Sequence, residues 1–360
     1  MKNPTLESLR DEIDKIDTQV VDLLNRRVQS AVEIGKIKAN LGVDPYDPAR
    51  EEQVFSKISN LSEGPMREDS LRTIYREVIS ASIALERELV IGYLGPEATY
   101  THQAAVKNFG STLEYRPLSD IPDVFQAVEQ GDCDYGVVPI ENSTEGAVNR
   151  SLDLLVESEL SIIAQVYLQV EHCMFSYSSM EEVGEIQSKD QALAQCGEWL
   201  RKNFPNVKLS PVTSTAEAVK NCSEKNGIAA IAGELAGQIH QVPMLKQGIQ
   251  DKRNNVTRFL VVARNALPKS NEVSYRTSLV VSLSDEVGAL QSALTPFSSR
   301  GINLCKIESR PSRKKSWDYF FFIDFIGHSG DPEANDALQE LKQNCSFHKI
   351  LGSYPENFPD

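Results

Sequence analysis

The sequence is poor in the residues that metal and redox chemistry need. Its six cysteines stand at 133, 173, 196, 222, 305 and 345, and no two form a Cys-x-x-Cys pair. Such scattered thiols argue against a disulfide framework and read as free, buried side chains in a reducing compartment. The five histidines are equally dispersed, so no zinc-ligand spacing exists and neither a metal nor a cofactor is expected. Cations are outnumbered, 37 Lys and Arg against 51 Asp and Glu, for a net charge of −14. That balance argues against nucleic acid as a partner, which wants a basic face. It leaves room for small anionic substrates, which local cation clusters decide. No apolar run is long enough to span a membrane, and the N-terminus lacks a signal-peptide core, so the expectation is a cytoplasmic protein with no membrane partner. At 360 residues and 41% hydrophobic content, the chain has material for two or three packed domains.

Proline is absent from Thr5 to Asn40, and Gly35 is the one glycine there. Apolar residues recur in three- and four-residue steps at Leu6, Leu9, Ile13, Ile16, Val20, Leu23, Ile34, Ile37 and Leu41, a sustained helical seam. A helix of that length spans roughly 54 Å, more than its short neighbours can cover. A second copy of the chain is the natural partner, which predicts a homodimer or a higher even oligomer. Arg27 and Ser30 stand where apolar residues are due. A buried Arg is costly unless an anion meets it, so the seam itself points to a carboxylate ligand.

After this helix, Gly42-Val43-Asp44-Pro45-Tyr46-Asp47-Pro48 reads as a turn, with Asp47 as N-cap and Pro48 as first residue of a second helix. Gly64-Pro65 ends it, and a third helix runs from about Glu68 to Glu88 on Leu71, Ile74, Val78, Ile79 and Ile83. Arg27 and Lys38 lie close to three turns apart and share a face, as do Ser82 and Glu86. Residues 1–88, with Leu9-Arg10, Arg26-Arg27, Val32 to Lys38, Asp47, Arg50-Glu51 and Ser82…Glu86, resemble the all-helical chorismate mutases. The resemblance implies a pericyclic rearrangement of chorismate to prephenate, in which the protein holds a dianion and favours charge on the breaking ether oxygen. It implies that Arg27, with Arg10 of the partner chain, binds the carboxylates. Lys38 and Glu86 would flank the ether oxygen, Asp47 and Glu51 the ring hydroxyl, with Arg50 and Ser82 completing the shell. Family members carry Gln or Glu at the position of Glu86. A Glu donates there only when protonated, which predicts loss of rate as pH rises.

From Leu89 strands and helices alternate. Strand-like runs stand at 89–94, 113–116, 135–139, 160–170 and 256–262, with helical patterns such as 121–130 and 191–203 between them. That order predicts an α/β domain over 89–266 with a largely parallel sheet and ligands at its C-terminal strand ends. Three polar stretches fall there: Gly95 to His102, Val138 to Gly146, and Asn255 to Phe259. Small hydroxyls, amides and backbone N–H groups of this kind bind carboxylates. The Thr-Arg-Phe triplet at 257–259 and the Pro-Ile-Glu-Asn-Ser run at 139–143 resemble prephenate dehydratase. The resemblance implies two lobes of the periplasmic-binding-protein type, the second over about 165–240, with a cleft between them. It implies loss of carbon dioxide and hydroxide from prephenate, giving phenylpyruvate, with Thr257 positioning or protonating the leaving hydroxyl. Asn142, Ser143, Thr144 and Thr101 would bind carboxylates or orient the ring, and Ser188 and Gln195 match polar positions of the second lobe. Lys189-Asp190 stands where relatives often have His-Pro. Arg258 reads equally as a substrate ligand or a structural ion-pair partner, and His102 as a helix-start residue.

A polar linker, 265–274, precedes a βαββαβ pattern over 275–354, which is ferredoxin-like. Strands are expected at 277–283, 302–309, 317–326 and 347–351, with Tyr319 to Phe322 buried. Gly288-Ala289-Leu290 and Glu308-Ser309-Arg310-Pro311 resemble the motifs with which ACT regulatory domains bind phenylalanine, with Asn303 a further candidate. The fold class expected is therefore multidomain: all-α helices, a two-lobed α/β domain, then an α+β ACT domain. The three resemblances form one pathway, that of the bifunctional chorismate mutase–prephenate dehydratases under feedback inhibition by L-phenylalanine. Competing readings are a chain with one active domain and a non-catalytic amino-acid sensor. A sensor has no need of Thr257 or of an Arg in the seam.

Overall fold

The fold is taken from a computed structural model that describes residues 5–311 and 319–356; Trp317, the expected start of a strand, lies outside them. The chain divides into two compact units, one of residues 1–47, 54–89 and 109–114, the other of residues 48–53, 90–108 and 115–360.

The first unit is helical. Helix α1 spans Leu6–Leu41, opened by a capping box between Thr5 and Ser8 and closed by Gly42 in the left-handed conformation at φ 66°. Helices α2 (Pro48–Leu61) and α3 (Glu68–Glu86) follow, with Pro48 the first residue of α2 as expected, although residues 48–53 group with the second unit. Helix α3 buries Ile79, Ser80, Ser82 and Ile83, and the guanidinium groups of Arg72 and Arg76 lie 4.7 and 4.6 Å from the ring of Phe55. Helix α1 buries no residue at all: Leu6, Ile13, Ile16, Val20, Leu23 and Ile37 of its seam are all exposed.

The second unit holds three sheets. The first contains β1 (Val90–Leu94), β2 (Glu114–Leu118), β3 (Tyr135–Asn142), the short β4 (Gly146–Ala147) and β5 (Ser161–Gln169). Helices α4 (Tyr100–Phe109), α5 (Ile121–Gln130) and α6 (Asn149–Glu157) connect them. The second sheet contains β6 (Cys173–Phe175), β7 (Glu185–Ser188), β8 (Lys208–Pro211), β9 (Ile228–Ala232) and β10 (Met244–Lys246), ordered β10-β6-β9-β7-β8. Helices α7 (Asp190–Gln195), α8 (Gly197–Asn203), α9 (Thr215–Glu224) and α10 (Glu234–His240) belong to it. The chain then returns as β11 (Val256–Ala263) to the first sheet, whose order is β2-β1-β3-β11-β5. This return makes that sheet mixed rather than largely parallel: β1 and β3 are parallel, while β11 is antiparallel to both β3 and β5. The second lobe also begins later than expected, because β5 runs on in the first sheet to Gln169. The helix expected over 191–203 is two helices that break at the fully buried Cys196.

The third sheet contains β12 (Tyr275–Ser282), β13 (Leu304–Pro311), β14 (Tyr319–Ile326) and β15 (Phe347–Pro355), with helices α11 (Ala289–Ser298) and α12 (Pro332–Gln343). Its order β13-β14-β12-β15, all antiparallel, is the ferredoxin-like arrangement. Alternation along the strands serves two cores. Leu279, Val281, Ile323 and Phe325 pack on the helices through Phe297 and Leu338. Val280, Phe322 and Tyr354 pack with Ile162 and Leu260 of the first sheet. The sheets approach so closely at Gly352 that a Cβ there would lie 2.1 Å from the carbonyl oxygen of Ile162, so only glycine fits. In the run 319–322, Phe320 and Phe322 are buried and Tyr319 is exposed. Among the described residues, no helix is long and apolar enough to cross a membrane.

Candidate functional site

The two α/β lobes enclose a cleft of about 270 Å³ whose walls bring together Thr101, Asn142, Gln195 and Thr257 from the residues anticipated above. Thr257, the second residue of β11, lies directly opposite Asn142 at the end of β3. The backbone N–H groups of Thr144 and Glu145 donate to Asn142 Oδ1 at 2.9 and 3.2 Å. Since an N–H can only donate, the amide orientation is fixed, and Nδ2 must face Thr257 and Asn255. It donates to Thr257 Oγ1 and to Asn255 Oδ1, both at 2.8 Å. Thr257 therefore accepts from Asn142 and keeps its own O–H proton for a group in the cleft.

Two helix starts border the same space. The first residues of α4, Tyr100 and Thr101, line it, as do Ser214 and Thr215 at the start of α9. Ser214 caps α9 by accepting from the Glu217 N–H at 3.0 Å. Unsatisfied N–H groups and the helix dipole favour anions at such ends. Among the described residues of the wall, Lys189 carries a full charge. Beside apolar Leu94, Pro96, Val170 and Ala192, the remaining polar lining is hydroxyl, amide and neutral imidazole, since burial holds His172 below the usual histidine range against the opposing effect of its hydrogen bond to Gln195. The arrangement can bind a small anion and offer a hydroxyl donor to it.

Four residues anticipated for this site are turned elsewhere. Ser188 is fully buried and donates to the Ile231 carbonyl at 2.6 Å. Ser143 ties the loop to β11, donating to Asn254 O at 3.0 Å and accepting from Val256 N at 2.9 Å. Thr144 spends its hydroxyl on Asn142 Oδ1 at 2.6 Å. Arg258, one residue from Thr257, faces the opposite side of the strand, as a period of two requires. There it donates to Gln165 at 3.0 Å, Asp324 at 2.7 Å and Tyr354 at 2.8 Å, which satisfies the ion-pair reading and not the ligand reading. His172, Tyr100, Thr213 and Ser214 line the cleft without having been anticipated as ligands. The Ser214-x-x-Glu217 spacing is a helix-start signature that could have flagged the last of these. His172 carries no spacing signal.

In the helical unit, Arg27 donates to Ser82 Oγ at 3.1 Å and Ser82 donates to Val78 O at 2.7 Å. Lys38 reaches the carbonyl of Pro45 at 2.8 Å. Glu86 sits over Gly35, where a Cβ would lie 2.6 Å from its Cγ. Burial raises the Glu86 carboxyl above its usual range, partly opposed by the charge of Lys38. Its Oε2 is buried without a hydrogen-bond partner among the described residues. Arg10 is exposed on α1, and Asp47 is half-buried. Arg50 and Glu51 fall in the second unit, where Arg50 donates to Gln53 at 2.8 Å and Glu51 is buried.

In the third sheet, Gly288 caps α11 at φ 85° with open space around it, and Ala289 and Leu290 begin the helix. Glu308 is half-buried, and Asn303, Ser309 and Pro311 are exposed. Arg310 is buried in an ion pair with Asp153 of α6.

These features define a multidomain enzyme with a two-lobed α/β domain around a polar cleft, a helical module and a ferredoxin-like module. Models of three families match it: "Chorismate mutase type II" over residues 9–87, "Prephenate dehydratase" over 91–267 and "ACT domain" over 277–343. The chain is 44% identical to a bifunctional chorismate mutase/prephenate dehydratase of Aquifex aeolicus, over 98% of each chain. It is 42% identical to that of Neisseria gonorrhoeae, over 96% of each. Among solved structures, a prephenate dehydratase of Arthrobacter aurescens in complex with L-Phe covers 74% of this chain and 90% of its own, at 33% identity and a TM-score of 0.68. The chain belongs to the bifunctional chorismate mutase/prephenate dehydratase family. It rearranges chorismate to prephenate and converts prephenate to phenylpyruvate.

Proposed function

We propose that the dehydratase step runs in the two-lobed cleft, with the Thr257 hydroxyl donating a hydrogen bond to the leaving hydroxyl of prephenate, which departs as hydroxide as carbon dioxide is lost. The observation that carries this is the fixed amide of Asn142, which makes Thr257 Oγ1 an acceptor on one side and a donor on the other. Aromatisation drives loss of carbon dioxide, so assistance to one departing hydroxide is the main chemical task. Thr101, Lys189, Gln195 and the starts of α4 and α9 hold the carboxylates.

The mutase step uses Arg27 and Lys38, with Glu86 donating to the ether oxygen as a neutral acid. Arg10 comes from a second copy of the chain, and Asp47 and Ser82 complete the site. The buried Oε2 of Glu86, without a partner among the described residues, and its raised pKa support the protonated form. A carboxyl with a raised pKa stays neutral further into the mildly acidic range and loses its proton as pH rises through that value. Mutase kcat is therefore expected to fall as pH rises, and Glu86→Gln to flatten the profile. A flat wild-type profile from mildly acidic to mildly alkaline pH would remove this role.

The exposed seam of α1 supports a homodimer built on that helix. Light scattering is expected to give an even multiple of the 40.0 kDa chain mass. Val20→Asp should cut mutase kcat/KM by more than about tenfold, because a charge on the seam repels the copy that brings Arg10. A monomer with wild-type mutase activity would exclude the shared site.

L-Phenylalanine is the effector of the ACT domain, bound at Gly288 to Leu290 and the 308–311 strand, and it lowers dehydratase rate. The Arthrobacter aurescens relative solved with L-Phe supports this choice. Domain limits of 1–88, 89–266 and 275–354 and a cytoplasmic location complete the reading. The test is to supply chorismate to purified protein and follow prephenate and phenylpyruvate separately, with and without L-phenylalanine. Both products should form, and phenylalanine should suppress the second. Phenylpyruvate formation indifferent to phenylalanine would remove the regulatory part.

A further inference from the structure

His172 joins the two walls of the cleft. It sits between β5 and β6 and is 2% exposed. Its Nδ1 lies 2.7 Å from the hydroxyl of Tyr100 on α4, and its Nε2 lies 2.7 Å from Oε1 of Gln195 on α7. The Tyr100 hydroxyl also reaches the Glu171 carbonyl at 3.0 Å. All three side chains line the cleft.

A neutral imidazole carries one N–H, so the contacts allow two proton arrangements. In one, Tyr100 donates to Nδ1 and Nε2–H donates to Gln195 Oε1. The Gln195 amide nitrogen is then left with two N–H donors for the cleft. In the other, Tyr100 donates to Glu171, Nδ1–H donates to Tyr100, and a flipped Gln195 donates to Nε2, which leaves an amide oxygen in the cleft. The occupant is anionic, and a bare amide oxygen against an anion is repulsive. Only the first arrangement gives the anion a donor at this place.

We propose that Tyr100 and His172 form a two-bond relay that sets the rotamer and amide orientation of Gln195, so that Gln195 presents its amide N–H groups to the anion bound in the cleft. His172 is thus a positioning residue that acts through Gln195. The proposal rests on the reading of the cleft as the prephenate site.

The test is a double-mutant cycle on the full-length protein, with mutase activity of the same samples as the control for folding. Gln195→Ala and His172→Leu should each lower dehydratase kcat/KM by roughly 10- to 100-fold, the value of one hydrogen bond to a charged group. The double variant should be no worse than Gln195→Ala alone. Tyr100→Phe, which deletes only a hydroxyl, should cost a few-fold in the wild-type background and nothing beside Gln195→Ala. His172→Gln keeps a donor near the Nε2 position and should retain more activity than His172→Leu. Nitrogen-15 NMR of the histidine ring should report the Nε2–H tautomer. Additive losses in the double variant, or an Nδ1–H tautomer, would overturn the relay while leaving the cleft assignment standing. Wild-type turnover by Gln195→Ala would overturn the relay together with the reading of this wall as part of the prephenate site.

Discussion

Thr257→Val is expected to lower prephenate turnover by roughly 10²- to 10⁴-fold in kcat, the range for loss of a positioned proton donor, with conversion of chorismate to prephenate unchanged. Valine keeps the β-branched shape that suits a central strand between β3 and β5, so the sheet should persist. Asn142 Nδ2 retains Asn255 Oδ1 as an acceptor at 2.8 Å, so the substitution costs it one of its two hydrogen bonds and the loop keeps the other. What disappears is the single hydroxyl proton that the Asn142 amide directs away from itself. Thr257→Ser restores that proton on a side chain of greater rotamer freedom and should recover activity to within about tenfold of wild type. Measured rates of phenylpyruvate formation from added prephenate, beside rates of chorismate loss, separate the two steps. A Thr257→Val enzyme that keeps more than a tenth of the wild-type rate would mean that water or another group assists the departing hydroxide.

The site was legible in the sequence wherever function and local pattern coincide. The seam of α1 announces itself by period, and its interruption by Arg27, which the structure sets against Ser82, is what singles that residue out. Thr257 and Asn142 stand at the ends of hydrophobic strand runs, where α/β folds place ligands. Arg258 shows the limit. A period of two says only that it faces away from Thr257, and what waits there, Asp324 and Tyr354, lies in a different domain of the sequence. Arg310 likewise meets a partner that is remote in the sequence, Asp153. Ser188 has the residue type of a ligand, but its hydroxyl is sealed by the neighbouring strand at Ile231. His172 is a lone histidine, and its meaning comes from two side chains that the fold brings to it from α4 and α7. The direction of β11 was hidden because a strand that returns from a second lobe has the same composition as one that continues the first.

Asp324→Ala should destabilise the second unit by about 3–5 kcal/mol, the cost of stranding buried charge, and the loss should be larger than for either of its partners' neutral replacements taken with it. Asp324 Oδ2 lies 2.7 Å from Arg258 and 3.6 Å from Arg276, and its Oδ1 accepts from Ser278 at 2.6 Å. Tyr354 closes the ring, 2.8 Å from Arg258 and 2.6 Å from Ser278. Side chains of Arg258, Arg276 and Asp324 are 6%, 4% and 7% exposed, so water cannot replace a missing partner. Arg276 has a second anion in Glu356, which it meets with two bonds at 2.8 and 2.9 Å. Arg258 has none apart from Asp324 among its described partners, and its other bonds go to the neutral Gln165 and Tyr354. Loss of Asp324 therefore falls hardest on Arg258, one residue from the proposed donor Thr257. Arg258→Met combined with Asp324→Leu removes both charges and should be more stable than Asp324→Ala alone, because no buried ion is left without a counter-charge. Denaturation of the full chain followed by loss of dehydratase activity reads the comparison, with mutase activity reporting the helical unit separately. If the double replacement were the less stable of the two, shape and the hydrogen bonds of Ser278 and Tyr354, not charge balance, would be what holds the third sheet to the first.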